Sequence, residues 1–255
     1  MGNFSGKVLF VTGGGAGIGR ATAQLFARDG ARVAVVDMNE PAAQETVRLI
    51  GEQGGEALAF GVDISDGPAV AAALATTAQR FGRIDVLFAN AAAQINTLGA
   101  ETTEEDWDRV NDVNLRGTWL CCKHVIPIMQ RQGSGCIVIT SSGHAFYTYP
   151  KYAAYAATKA GLLGLTRALA IDYAPDGIRV NCIIPGATDT PMLRLHINAS
   201  PDPKAEEQRI LAKIPTGRFA QPDDIARGVR FFASDDAAYV TGAWLAVDGG
   251  LMAHG

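Results

Sequence analysis

The stretch FYTYPKYAAYAATK, residues 146–159, holds two tyrosines each followed four positions later by a lysine: Tyr147 with Lys151, and Tyr155 with Lys159. A free tyrosine ionises near ~10 and is a poor base at neutral pH. A cation within ~4–6 Å favours tyrosinate, typically by ~1–3 pKa units, each worth ~1.4 kcal/mol. Such a tyrosine can take the hydroxyl proton of an alcohol while hydride leaves its carbon. What lies between the partners separates the two pairs. Pro150 disfavours helical backbone at Tyr149, so Tyr147 and Lys151 cannot be assumed to share a helical face. Tyr155 and Lys159 flank Ala-Ala-Thr in the first turns of a helix predicted over 152–174, where i and i+4 lie together. The second pair is the productive one.

Serines stand nearby. The strand-like run GCIVITSS (135–142) ends in Ser141 and Ser142. A hydroxyl there can hold a substrate oxygen as charge develops, or simply serve loop hydrogen bonds. The residues alone barely separate the two serines. His144 invites a Ser-His nucleophile, but the chain has no G-x-S-x-G elbow and no Asp placed by a triad motif.

A second chemistry sits at the other end. TGGGAGIG (12–19) follows the strand-like KVLFVT and precedes a helix-like run. Gly13, Gly17 and Gly19 allow a tight turn and a close backbone approach to a pyrophosphate. The helix that opens at Ile18 supplies free N–H groups and positive potential. Asp37 closes the next strand, and a carboxylate there can accept hydrogen bonds from adenosine ribose hydroxyls and repel a 2′-phosphate. No Arg or Lys follows in DMNEP, so NAD is the expected cofactor. The competing use of Asp37 is to cap the helix that begins near Glu40. Asp63, after the third strand, can receive an adenine amino group with Ile64 packed on the ring, or cap the helix at 66–82.

These groups need a scaffold. Short β-branched runs at 7–12, 31–37, 57–63, 83–90, 135–142, 178–186 and 243–249 alternate with helical stretches at 18–30, 40–53, 66–82, 104–131, 152–174 and 222–234. The 104–131 helix is expected to break or end near Pro127. The pattern predicts one α/β domain over 1–255, a doubly wound Rossmann-type sheet of about seven parallel strands with helices on both faces. The proline-bearing stretch 187–217 follows a strand's carboxyl end, where open α/β sheets bind ligands, and reads as an irregular substrate lid.

Composition narrows the class. The formal charge is −4 across 255 residues with no long basic run, which argues against nucleic acid. No apolar run approaches ~18 residues, and the start lacks signal-peptide features, so a cytoplasmic protein is expected with no membrane partner. The cysteines at 121, 122, 136 and 182 show no C-x-x-C spacing and predict neither metal nor disulfide.

Taken in order, TGGGAGIG, Asp63, NAA (90–92), Asn114 in VNLRGTW, Ser142, YAATK (155–159), PGATDT (185–190) and VDGG (247–250) make the chain resemble the short-chain dehydrogenase/reductase family over almost its whole length. The resemblance implies a catalytic tetrad of Asn114, Ser142, Tyr155 and Lys159. Its interval before the tyrosine selects Ser142 over Ser141. It implies that Lys159 lowers the Tyr155 pKa and binds the nicotinamide ribose, and that Asn114 holds a relay water. Asn90 would support the cofactor near the adenosine ribose, and Pro185, Gly186, Thr188 and Thr190 would line the nicotinamide and pyrophosphate. Ala92 and Thr188 depart from the family's usual Gly and Ile or Val. A homotetramer is also implied. The expected reaction interconverts a small secondary alcohol (alicyclic, polyol or sugar) and its ketone. The alternatives are a 3-oxoacyl-carrier-protein reductase, against which Asp37 counts, and a non-catalytic dinucleotide-binding regulator.

Overall fold

The computed structural model describes residues 4–253. Seven strands form one parallel sheet in the order β3-β2-β1-β4-β5-β6-β7. They are β1 (Val8–Thr12), β2 (Arg32–Asp37), β3 (Ala57–Gly61), β4 (Val86–Ala89), β5 (Gly135–Thr140), β6 (Ile178–Pro185) and β7 (Trp244–Val247). The chain order reverses direction between β1 and β4, which opens a crevice at their carboxyl ends.

Side-chain parity builds the core. Val8 and Phe10 of β1 point to one face and join Leu87 and Ile137. Leu9 and Val11 point to the other and join Phe88 and Val138. The first face is covered by α3 (Gly67–Phe81), α5 (Thr118–Gln132) and α6 (Ala153–Tyr173). The second is covered by α1 (Gly17–Arg28), α2 (Glu40–Glu52) and α9 (Pro222–Ala233). Each fully buried Phe or Leu contributes about 1.5–3 kcal/mol, so β1 and β4, buried along their whole length, give the crevice a rigid floor.

Two expected elements differ. The stretch 104–131 is not one helix ended by Pro127. It runs as α4 (Glu104–Asn111), a π-helical segment (Asp112–Gly117) and α5, which continues through Pro127. Pro127 and Lys123, one turn before it, are both exposed, so the carbonyl that the proline leaves without a partner faces water. The lid is not irregular either. It contains α7 (Pro191–Asn198) and α8 (Pro203–Leu211). Their prolines sit at the first helical position, where no N–H is needed, and Thr190 and Asp202 cap them.

No helix among the described residues is long and apolar enough to cross a membrane. The four cysteines are buried free thiols, and burial raises Cys136 and Cys182 to about 11.

Candidate active site

The carboxyl edge of the sheet carries a cleft of about 1010 Å³, walled by the glycine loop, the ends of β4, β5 and β6, the start of α6 and both lid helices. On its nucleotide side the loop between β1 and α1 is tightly folded. A Cβ on Gly19 would collide with the Gly13 carbonyl oxygen, so only glycine fits. Gly17 has a φ of +51° and faces Thr190, where the lid begins. Ala16 at the N-cap of α1 offers no side-chain cap, and its first turn holds no acid. That helix start keeps unpaired N–H groups toward the cleft, the chemistry a pyrophosphate needs.

Asp37 accepts hydrogen bonds from the Gly15 N–H at 3.0 Å and the Asn39 N–H at 2.9 Å. It does not cap α2, because Asn39 does so through Ala42. The nearby cation Arg20 is committed to the Thr46 hydroxyl and the Gly15 carbonyl. Asp63 lies two residues beyond β3 and binds Ser65, while Asp66 caps α3. The expectation for Ile64 needs correction. Its side chain is buried in the core, where a Cβ on Gly117 would meet it at 2.8 Å, so it cannot pack on an adenine ring.

Asn90 laces the strand ends together. Its N–H donates to the Thr12 hydroxyl at 3.0 Å and its amide to the Thr12 carbonyl at 3.2 Å, and Thr140 donates to its side-chain oxygen at 3.4 Å. Pro185, Gly186, Thr188 and Thr190 line the opposite wall. Thr188 is buried with its hydroxyl on the Gly186 carbonyl at 2.9 Å, which turns the chain toward the lid.

On the reaction side the two serines separate. Ser141 is buried and donates to the Lys159 carbonyl at 2.7 Å, fastening β5 to α6. Ser142, one step further, accepts from the His144 N–H at 3.3 Å and stands close enough to Tyr155 to favour its ionised form. Tyr155 and Lys159 lie on one face of α6, with the ammonium 5.4 Å from the ring centroid. Lys159 is 2% exposed and donates to the Thr140 carbonyl at 2.8 Å. Tyr147 and Lys151 make no such pair. Tyr147 follows a 3₁₀ turn, and Lys151 is exposed with a φ of +76°.

The Tyr155 pKa shifts against the expected direction. Burial raises Tyr155 to about 12, and the Ser142 hydroxyl only partly opposes it. Burial lowers Lys159 to about 8, opposed by Cys182. The ammonium sits over the ring rather than at the hydroxyl, so desolvation outweighs its attraction for tyrosinate.

Asn114 is fully buried in the π-helical segment, where the extra residue per turn re-aims side chains. It accepts from the Ala93 N–H at 2.7 Å and donates to the Ala93 carbonyl at 2.9 Å and the Thr158 hydroxyl at 3.1 Å. Asn114 thus ties the β4 loop to α6 beside Tyr155. His144 adds an aromatic wall, with its ring 4.4 Å from Tyr152 and edge-on to Tyr149 and Tyr155 at 5.6 Å. Burial lowers its pKa to about 4, so it is neutral at physiological pH. His196 meets Tyr152 and Asn96 from the lid. Thr140, which acts through its carbonyl, and Arg209 and Lys213, which reach the cleft from α8 and just beyond, escape a reading by residue type.

Residues 13–252 match the family model described as enoyl-(acyl carrier protein) reductase. The chain belongs to the short-chain dehydrogenase/reductase family. It is 40% identical over 255 residues to 2,5-dichloro-2,5-cyclohexadiene-1,4-diol dehydrogenase of Sphingobium indicum, covering 99% of this chain and 100% of that one. The crystal structure of levodione reductase superposes with a TM-score of 0.96 at 36% identity, covering 99% and 100% of the two chains. The structure of 3-ketoacyl-(acyl-carrier-protein) reductase from Brucella melitensis, complexed with NADH, superposes with a TM-score of 0.89 at 34% identity over 98% and 99%. Members of this family bind a nicotinamide dinucleotide, and this chain is an oxidoreductase acting on CH–OH groups. The Brucella structure also corrects one inference. A 3-ketoacyl reductase can hold NADH, so Asp37 alone does not count against that activity.

Proposed function

We propose that the protein interconverts a small alicyclic secondary alcohol and its ketone with NAD(H), using Tyr155 as acid and base. The observation that carries the proposal is the union, at one end of the cleft, of the Tyr155 ring, the Ser142 hydroxyl and the Lys159 ammonium 5.4 Å away. The uncapped start of α1 fits a pyrophosphate, and Asp37, held at the loop, fits a ribose diol. The bound cofactor supplies a hydride acceptor and a positive charge.

Tyr155 removes the hydroxyl proton of the alcohol, and in the reverse direction returns it to the carbonyl oxygen. Its high starting pKa means that the cleft must favour tyrosinate electrostatically during turnover. Lys159 supplies part of that field. Ser142 steadies the substrate oxygen by donating a hydrogen bond. Asn114 fixes the spacing between the β4 loop and α6. His144, neutral and flanked by Tyr149 and Tyr152, forms a flat wall suited to a ring-shaped substrate.

The test follows NAD⁺ reduction at 340 nm over a panel of cyclic alcohols, polyols and sugars, repeated with NADP⁺. Turnover with cyclic alcohols and NAD⁺ is expected. NADP⁺ preference would overturn the role of Asp37, and turnover confined to 3-oxoacyl thioesters would replace the substrate class.

A further inference from the structure

The cleft is one-sided in charge. Among the described residues that line it there is no Asp or Glu, while Arg209 and Lys213 enter from the lid. These two cations are not equivalent. Arg209 is held by Glu206 through two hydrogen bonds of 2.7 and 2.6 Å, and Glu206 also meets His196 at 3.2 Å. Its charge is spent inside the lid. Lys213 has no carboxylate partner among the described residues, and its ammonium lies 4.0 Å from the Tyr149 ring centroid. Tyr149 meets His144 edge-on, and His144 meets Tyr155 edge-on, both at 5.6 Å. Lys213 therefore stands two aromatic rings from the reacting hydroxyl, at the far end of the wall a ring substrate would lie against.

We propose that Lys213 anchors a carboxylate carried by the alicyclic substrate, opposite the carbinol that Tyr155 oxidises. This rests on the oxidoreductase reading above and names its substrate class. A half-buried cation over an aromatic face lacks a counter-ion of its own, and an incoming anion supplies one. One available positive charge matches a carboxylate better than a dianionic phosphate, which would also face Glu206 behind Arg209. Lys213 is a specificity residue and takes no part in the proton transfer.

The test compares 4-hydroxycyclohexanecarboxylate with its primary amide, in wild type, Lys213→Gln and Lys213→Arg. Wild type is expected to prefer the acid by roughly 10-fold in kcat/KM, mainly through KM, with the preference shrinking as salt rises. Lys213→Gln should erase the preference and Lys213→Arg should restore most of it. Equal use of acid and amide by wild type, or an equal loss on both in Lys213→Gln, overturns the proposal. In parallel, cyclohexanecarboxylate and cyclohexanecarboxamide are titrated calorimetrically into the NADH-loaded protein. If no cyclic alcohol is turned over, the alicyclic-alcohol reading falls while this titration still decides the anchor. Tighter acid binding that is lost in Lys213→Gln sustains it, and equal affinities overturn it.

Discussion

Two segments eight residues apart carry the same tyrosine and lysine, and only one brings them together. At 155 and 159 the helix does the work: both side chains are buried on one face of α6, over the carbonyl end of β5. At 147 and 151 the chain is turning. Pro150 holds Tyr149 out of a helix, and Lys151 takes a left-handed conformation in the open. The difference teaches that a motif of residue types is only as good as the backbone period beneath it. Burial alone does not separate the tyrosines. It raises both Tyr147 and Tyr155 to about 12, and the productive pair is marked by a buried lysine as well, with Lys159 lowered to about 8.

The sharpest way to break this contrast is to remove each tyrosine hydroxyl. Tyr155→Phe should cost ~10²–10⁴ in kcat, the usual worth of a general acid–base group, with NADH binding retained by fluorescence. Tyr147→Phe should stay within several-fold. Comparable losses from both would show that the first segment also acts.

Next in size is the pH dependence of stability in the cofactor-free protein. Lys159 has an ordinary pKa of 10.5 and a folded one of about 8, so between these values the unfolded chain binds the extra proton. Stability from this group is therefore lowest below pH 8 and rises toward pH 10.5, by about 3 kcal/mol in all. Urea denaturation should show that rise in wild type and a flatter profile in Lys159→Met. Parallel profiles would mean that Lys159 is not desolvated.

The smallest effect belongs to Lys151. A non-glycine residue at positive φ costs roughly 1 kcal/mol, so Lys151→Gly should raise stability by up to that amount. A clear loss in thermal denaturation would show that the lysine side chain holds the turn.

Much of the site was legible because it depends on local spacing. The glycine loop, Asp37 at a strand end and the i, i+4 pair on α6 need only the period of each element. Ser141 and Ser142 could not be separated by type. Strand parity decides between them, turning Ser141 under α6 and Ser142 toward Tyr155. Ile64 was misplaced for a similar reason, since nothing local says that Gly117 leaves a hollow for it. In the lid, the prolines by type alone mark an irregular stretch. In the pairs Thr190-Pro191 and Asp202-Pro203 they start helices instead. Lys213 is the extreme case, because its meaning comes only from the rings that a distant segment sets beneath it.

The π-helical turn at Asp112–Gly117 behaves as a one-residue shim in an otherwise continuous rod. If the same residues were wound as plain α-helix, the surplus one would have to be carried along the rod, and each residue of such a helix turns the chain by about 100°. Everything on one side of the segment would then be rotated by that angle against the other. Either Asn114 would swing away from Thr158, or the apolar stripe of Cys121, Val125 and Met129 would leave the sheet. The surplus residue is thus what lets one helix keep two appointments that an unbroken α-helical period cannot meet.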